Sequence, residues 1–241
     1  MTTMKKLFLS LMLLPLFLTF FSCTAGIEGE FKEGGEVNLT LKTALGPRMI
    51  ALIRSLRGFM GEDGNEPILD GLAISQSIAA SPGARAVRLV NTGPSALDGI
   101  ISISKVDDFL SAGASKTRFI SYTEGREAGT SSVVILIDRN SAPEIISRLS
   151  SEVEEYLSAL MAPVVLGETS TRREYLQLIT SVYGRPLADE IAAARLKASI
   201  EFPRPVKTAA GGNIVGRKVE FDVPIVDILV LEKPLRYELS W

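Results

Sequence analysis

From residue 195 to residue 202 the chain alternates without a break: Leu196, Ala198, Ile200 and Phe202 fall on one side, Arg195, Lys197, Ser199 and Glu201 on the other. Only a strand with one covered and one wetted face uses that period. The same period appears near the other end, where Ile27, Gly29 and Phe31 interleave with Glu28, Glu30 and Lys32. After the turn residues Gly34-Gly35 it returns in Val37, Leu39 and Leu41. Two alternating runs about a Gly-Gly pair predict a β-hairpin. Leu235, Tyr237, Leu239 and Trp241 form a last alternating strand. A strand that is half apolar needs a sheet to pair with.

Between these ends the period changes. Pro47 opens a helix whose apolar face carries Met49, Ile50, Leu52, Ile53, Leu56 and Phe59. A shorter one is expected around Ile68, Leu69, Leu72 and Ile78, ended by Ser81-Pro82-Gly83. Strands follow at 85–91 and 97–104, a short helix at 106–112, and a hairpin made of 117–123 and 131–138. Ser141-Ala142-Pro143-Glu144 has the form of a capping box, and Ile145, Ile146, Leu149, Val153, Tyr156, Leu157 and Leu160 then recur at helical spacing. Thr171-Arg172-Arg173-Glu174 caps a further helix through Val182 with Gly184 as its stop, and 186–194 reads as another. Residues 206–209 and 219–223 are expected to pair as a hairpin across Gly211-Gly212-Asn213. The reading is α+β: a mixed or antiparallel sheet of N- and C-terminal strands packed with several helices. It is one domain over 23–241, with a helical insertion or subdomain at about 141–194.

The segment ahead of the first strand gives the compartment. Lys5 and Lys6 precede 15 largely apolar residues, Leu7 to Phe21, the layout of a secretory signal. A spanning helix needs about 20 apolar residues, so this run is short for one. It ends at Leu18-Thr19-Phe20-Phe21-Ser22-Cys23, which resembles a bacterial lipobox. That resemblance implies cleavage between Ser22 and Cys23, removal of residues 1–22 as a signal peptide, and acylation of Cys23, the only cysteine of the chain. The expected location is the cell membrane or the outer membrane, with the domain on the periplasmic or extracellular side and the bilayer itself as partner. Only Thr24, Ala25 and Gly26 stand between Cys23 and the alternating run, a tether of roughly 10–14 Å when extended.

Composition excludes more chemistry than it suggests. The chain has no histidine, which removes the Ser-His-Asp arrangement, histidine-assisted thiols, histidine-bound zinc and the commonest general base. A single thiol rules out cysteine-rich zinc and iron-sulfur sites. Residues 1–22 carry two lysines and no acid, so of 26 basic and 28 acidic side chains the mature chain keeps 24 and 28, a charge of −4. That balance lacks the basic footprint of a nucleic-acid binder. No cofactor is called for. A hydrolase would have to use paired carboxylates or Ser-Lys chemistry.

The order of segments resembles the LppM-type bacterial lipoproteins. The likeness lies in Ala194 to Pro203, an amphipathic strand ending in Phe202-Pro203, in the following Ala210-Gly211-Gly212-Asn213, and in the closing alternating strand. It also lies in a lipidated Cys23 followed by strand, polar turn and strand to Gly46-Pro47. The resemblance implies a lipid-anchored envelope protein with a mixed sheet-and-helix domain, no catalytic residues to carry over, and an association with envelope lipids or glycolipids. A structural or protein-interaction role in envelope assembly is the alternative, and it predicts exposed apolar surface on the 141–183 helices.

The remaining motifs have ordinary explanations. Gly211 to Lys218 spaces two glycines like a phosphate loop but puts Arg217 where lysine belongs and Lys218 where the hydroxyl belongs, between strands, so it reads as a hairpin loop. Asp63-Gly64-Asn65-Glu66 with Asp70 lacks the order of a calcium loop. Asp107-Asp108 and Glu154-Glu155 are adjacent on helices and point apart. Asp222 and Asp227 sit among apolar residues read as C-terminal strands, where they tie down a turn or, functionally, form a carboxylate site. Tyr237 and Trp241 are expected in the sheet packing rather than against lipid headgroups.

Overall fold

A computed structural model describes residues 24–60, 67–111, 119–127, 130–147 and 151–241. The fold is α+β with two sheets. Strand β1 (Thr24–Phe31) pairs antiparallel with β2 (Val37–Ala44), Thr24 opposite Ala44 and Phe31 opposite Val37. A 3-10 turn over Glu33–Gly35 joins them, with Gly34 and Gly35 at φ 80° and 79°. Two successive left-handed residues are what a side chain would resist, so the Gly-Gly pair sets this turn.

Helix α1 (Pro47–Met60) follows β2, then α2 (Gly71–Ala79), whose amides at Leu72 and Ala73 are capped by Asp70 at 2.8 and 3.1 Å. Strands β3 (Ala84–Gly93) and β4 (Ala96–Ile103), helix α3 (Val106–Ser111), and the hairpin β5 (Ile120–Thr123) with β6 (Ser132–Ile137) come next. Helices α4 (Ala142–Ser147), α5 (Ser151–Leu160), α6 (Ala162–Val165), α7 (Arg172–Tyr183) and α8 (Arg185–Ala193) make the middle. The chain closes with β7 (Arg195–Glu201), β8 (Thr208–Ala210), β9 (Asn213–Val215), β10 (Lys218–Pro224), α9 (Ile225–Val230) and β11 (Leu235–Ser240).

The larger sheet has the order β3-β4-β2-β1-β7-β10-β9 and the smaller β5-β6-β11-β8. N- and C-terminal strands do share the larger one, because β7 lies beside β1. That pairing is parallel, Thr24 beside Arg195 and Glu30 beside Glu201. On the inner face Gly29 leaves space for its neighbours: a Cβ there would come within 2.6 Å of Ile200 and 2.7 Å of Leu39. Phe31, Val37, Val219 and Leu239 fill the core around the two sheets, where Trp241 meets Phe31 and Phe202 at ring separations of 5.1 and 4.6 Å.

The helices collect at one end of the larger sheet. Ala44, Arg195 and Pro224 lie in register with Thr24 or with one another, and α1, α8 and α9 join the strands at those residues. Their apolar faces form a second core around Met49, Ile53, Tyr156, Ile191, Val226 and Leu229. Tyr175 of α7 is buried there and its hydroxyl donates to the Leu160 carbonyl at 3.0 Å. Burial raises its pKa above the usual 10, with a smaller push from Tyr183. Since the folded value exceeds the unfolded one, this stabilisation is whole below pH 10 and drains as the pH climbs toward the raised value. Tyr175→Phe is therefore expected to flatten the alkaline fall in the urea midpoint, measured from pH 8 to 11.

Several expectations need correcting. The spacer after residue 23 does not exist, because Thr24, Ala25 and Gly26 already belong to β1 and are paired on both sides. Residues 206–209 do not form a hairpin with 219–223. Strand β8 crosses to the smaller sheet and pairs with β11, while the hairpin is β9–β10, turning at Gly216-Arg217 with Gly216 at φ 66°. Residues 225–230 are helical, since an apolar run of this length carries no period that separates strand from helix. The Ser141 hydroxyl accepts from the Asp138 amide at 2.9 Å and donates to the Asp138 carbonyl at 3.2 Å, while the side chain of Glu144, the other half of the expected capping box, lies outside the described residues. The Thr171–Glu174 capping box and the Gly184 stop of α7 are as expected.

Candidate functional site: an apolar cavity at the start of β1

Where β1 begins, the sheet and the helical layer line a partly open cavity of about 210 Å³. Ala25 of β1 and Thr43 of β2 contribute wall from the sheet. Met49 and Ile53 come from α1, Tyr156, Leu157 and Leu160 from α5, Ile191 from α8, and Ile225 and Leu229 from α9. Helices α1, α5 and α9 each supply apolar side chains three or four residues apart, so the wall is almost wholly hydrocarbon.

Two polar groups in that wall, Glu190 and Tyr156, have partners. Glu190 of α8 is buried, and its carboxylate accepts from the amides of Arg48 and Met49 at 3.0 and 2.8 Å. These are two of the free donors at the start of α1, a helix with no acid of its own in the first turn. Gly46 makes this possible, because a Cβ there would collide with the Glu190 carboxylate. The Tyr156 hydroxyl accepts from Arg57 Nε at 2.5 Å. Arg57, itself buried, also donates to the Pro67 carbonyl at 3.3 Å and stacks 5.6 Å from the Tyr156 ring centroid. A guest in the cavity would meet carbon, one ring, one threonine and a carboxylate already engaged.

Both buried charges are legible in hindsight as charges on an apolar stripe. Glu190 falls three residues after Leu187 and four before Ala194. Arg57 falls four after Ile53 and seven after Ile50. The sequence reading marks neither, and their side-chain or helix-start partners, Tyr156 for Arg57 and Met49 for Glu190, lie 99 and 141 residues away.

Of the residues singled out in advance, Ser22, Cys23 and Asp63 to Glu66 lie outside the described residues, as do the side chains of Asp107 and Glu155. Asp108 is exposed and Glu154 half-buried. Asp222 and Asp227 do not share a site: Asp222 is on β10 with Arg195 at 3.4 Å, and Asp227 is on α9 with Arg172 at 3.6 Å. Asp222 does lie in a shallow cleft of about 480 Å³ with Lys197 and Ser199, yet no hydrogen bond joins that serine to that lysine. Ser-Lys chemistry needs the two within hydrogen-bond reach. Gly211 to Lys218 is strand and turn, with no helix for a phosphate to sit on. Tyr237 stands edge-on to Phe221 at 5.3 Å, and Trp241 is 1% exposed, so the tryptophan packs inside and does not reach a headgroup.

Larger hollows are open clefts. One of about 760 Å³ runs along α7 and α8 past Arg172, Arg173 and Arg185. Its charges are partly neutralised by Asp189, 3.5 Å from Arg185, and by Glu232, which accepts from the Arg172 amide at 2.9 Å. Nearby helix surface carries exposed Leu166, Leu178, Val182 and Tyr183. No helix among the described residues is long and apolar enough to cross a membrane, and none of their Asp, Glu, His and Cys side chains gather in threes.

No family model matches the sequence, and comparison with curated proteins gives no match. Among solved structures, the NMR structure of the folded domain of the Mycobacterium tuberculosis LppM protein is similar at 10% identity. The alignment covers 92% of this chain and 91% of that one, with a TM-score of 0.39. Function is therefore read from the cavity and the sequence.

Proposed function

We propose that this protein is a non-enzymatic, membrane-anchored lipoprotein of the bacterial envelope, held by lipid on Cys23, whose folded part binds an acyl chain of an envelope lipid or glycolipid. The observation that carries the binding is the cavity at Ala25. An apolar cavity of about 150 Å³ stays dry and takes apolar guests, and this one is larger. Each methylene moved out of water contributes about 0.8 kcal/mol, so even part of a chain is a substantial ligand. The signal-like residues 5–21 and the Ser22-Cys23 junction support anchoring.

Native mass spectrometry of the mature protein extracted from envelopes tests this reading. Lipid is expected to travel with it, and repeated recovery without lipid would overturn the binding. A second reading, docking on an envelope protein, is favoured by exposed Leu178 and Val182, which are neighbours one turn apart on α7. The same extraction distinguishes it, because a protein would then be retained in place of lipid.

A further inference from the structure

The described chain opens directly at the cavity. Thr24 is held between Ala44 and Arg195, and Ala25 between Thr43 and Leu196, so the start of β1 is fixed by strand pairing on both sides. Ala25 is itself wall. Successive Cα atoms are about 3.8 Å apart, which places the Cα of residue 23 within roughly 8 Å of that of Ala25. The lipid that a lipobox implies would therefore be attached beside the hydrocarbon-lined space.

We infer that the occupant of the cavity is one of the acyl chains carried by Cys23 itself. This rests on the reading that the cavity binds an acyl chain, and it names the source. Size agrees: about 210 Å³ equals the share of roughly seven waters at about 30 Å³ each, which suits a stretch of one chain and not the two tails of a phospholipid. Chemistry agrees as well. No lysine or arginine lines the wall to hold a phosphate, and the one charge there, Glu190, is negative and bonded to the Arg48 and Met49 amides. A headgroup gains nothing at this site, whereas a tail finds a hydrocarbon surrounding there.

Proximity then decides between sources. Moving a chain from bilayer to cavity exchanges one apolar surrounding for another, so the transfer itself favours neither. A chain bonded two residues from the wall has already given up the lateral freedom that a bilayer lipid would lose on entering, so its docking costs less entropy. A processed lipoprotein carries two or three chains on its cysteine. Withdrawal of one from three leaves two, which is the number stable anchoring requires. The cavity thus acts as an internal dock that fixes the folded part against its own anchor.

The test uses the full chain, processed and acylated in a bacterial host fed a fatty acid that carries a diazirine and an alkyne. After irradiation of intact envelopes, the protein is digested and the alkyne-bearing peptides are sequenced by mass. The acylated N-terminal peptide is expected crosslinked to peptides containing Met49–Ile53, Leu157–Leu160 or Ile191–Ala194. The expected yield is at least tenfold above that to peptides from the outer sheet face, such as that containing Thr40. Phospholipid adducts on those same cavity peptides, with the N-terminal peptide linked only to bilayer lipid, would overturn this inference and leave acyl-chain binding standing. Cavity peptides carrying neither adduct would overturn both, and an N-terminal peptide without acyl mass would overturn the inference at its premise.

Discussion

Trp241→Ala is expected to lower stability by about 3–5 kcal/mol, the usual cost of removing a large aromatic from a closed core. The ring is 1% exposed and packs on Phe31 and Phe202, with Tyr122 stacked at 6.2 Å. Those partners come from β1, β5 and the end of β7, so the ring ties the two sheets together. Few neighbours can collapse into the gap without breaking strand pairing. In a chain of this size each kcal/mol moves Tm by about 2–4 °C. Because Trp241 is the only tryptophan, the variant must be followed in urea by far-ultraviolet circular dichroism rather than by fluorescence. A loss below about 1 kcal/mol would show that the aromatic cluster contributes little beyond surface burial.

Glu190→Ala should be nearly as costly, at about 3 kcal/mol. It removes a charged acceptor from two amides at the start of α1, and leaves the buried Met49 donor and the part-buried Arg48 donor without it. The negative charge opposite the helix dipole is lost with it. Glu190→Gln keeps one acceptor oxygen but turns an NH₂ toward the second amide, so an intermediate loss is expected. Urea unfolding read by circular dichroism measures both. An alanine variant as stable as the parent would mean that the amides find solvent. The same change loosens α8 against α1, two walls of the cavity, so crosslinks from the acyl chain to the Met49 peptide should fall in parallel.

Some of this could be read in one dimension. The hairpin β1–β2 was legible because a period of two changes sign only across Gly34-Gly35, where two positive φ angles admit little else. Helix α7 was legible because its cap, stripe and stop are local: Thr171 and Glu174 satisfy one another within one turn, and Gly184 ends it at φ 88°. Strand β8 was not, because three residues are too short to show a period and their partner β11 begins 25 residues after β8 ends. Helix α9 was misread for a related reason. In Ile225 to Leu231 only Asp227 is polar, so the run looks alike at 100° and 180° per residue.

The site divides in the same way. The sequence alone established the alternation of the terminal strands, the helical middle, the absence of histidine, and a signal-like segment ending at Ser22-Cys23, since each is a matter of neighbours or of counting. Tertiary structure decided the parallel seating of β1 on β7, the pairing of Thr24, Ala25 and Gly26 within β1, and the lining of a cavity by Ala25, α1, α5, α8 and α9. A cavity is space left between faces, and its walls here come from residues 25 to 229. Each stripe announces that it will be buried. Only the packing of all of them shows where they fail to meet, and that place is beside the residue that follows Cys23.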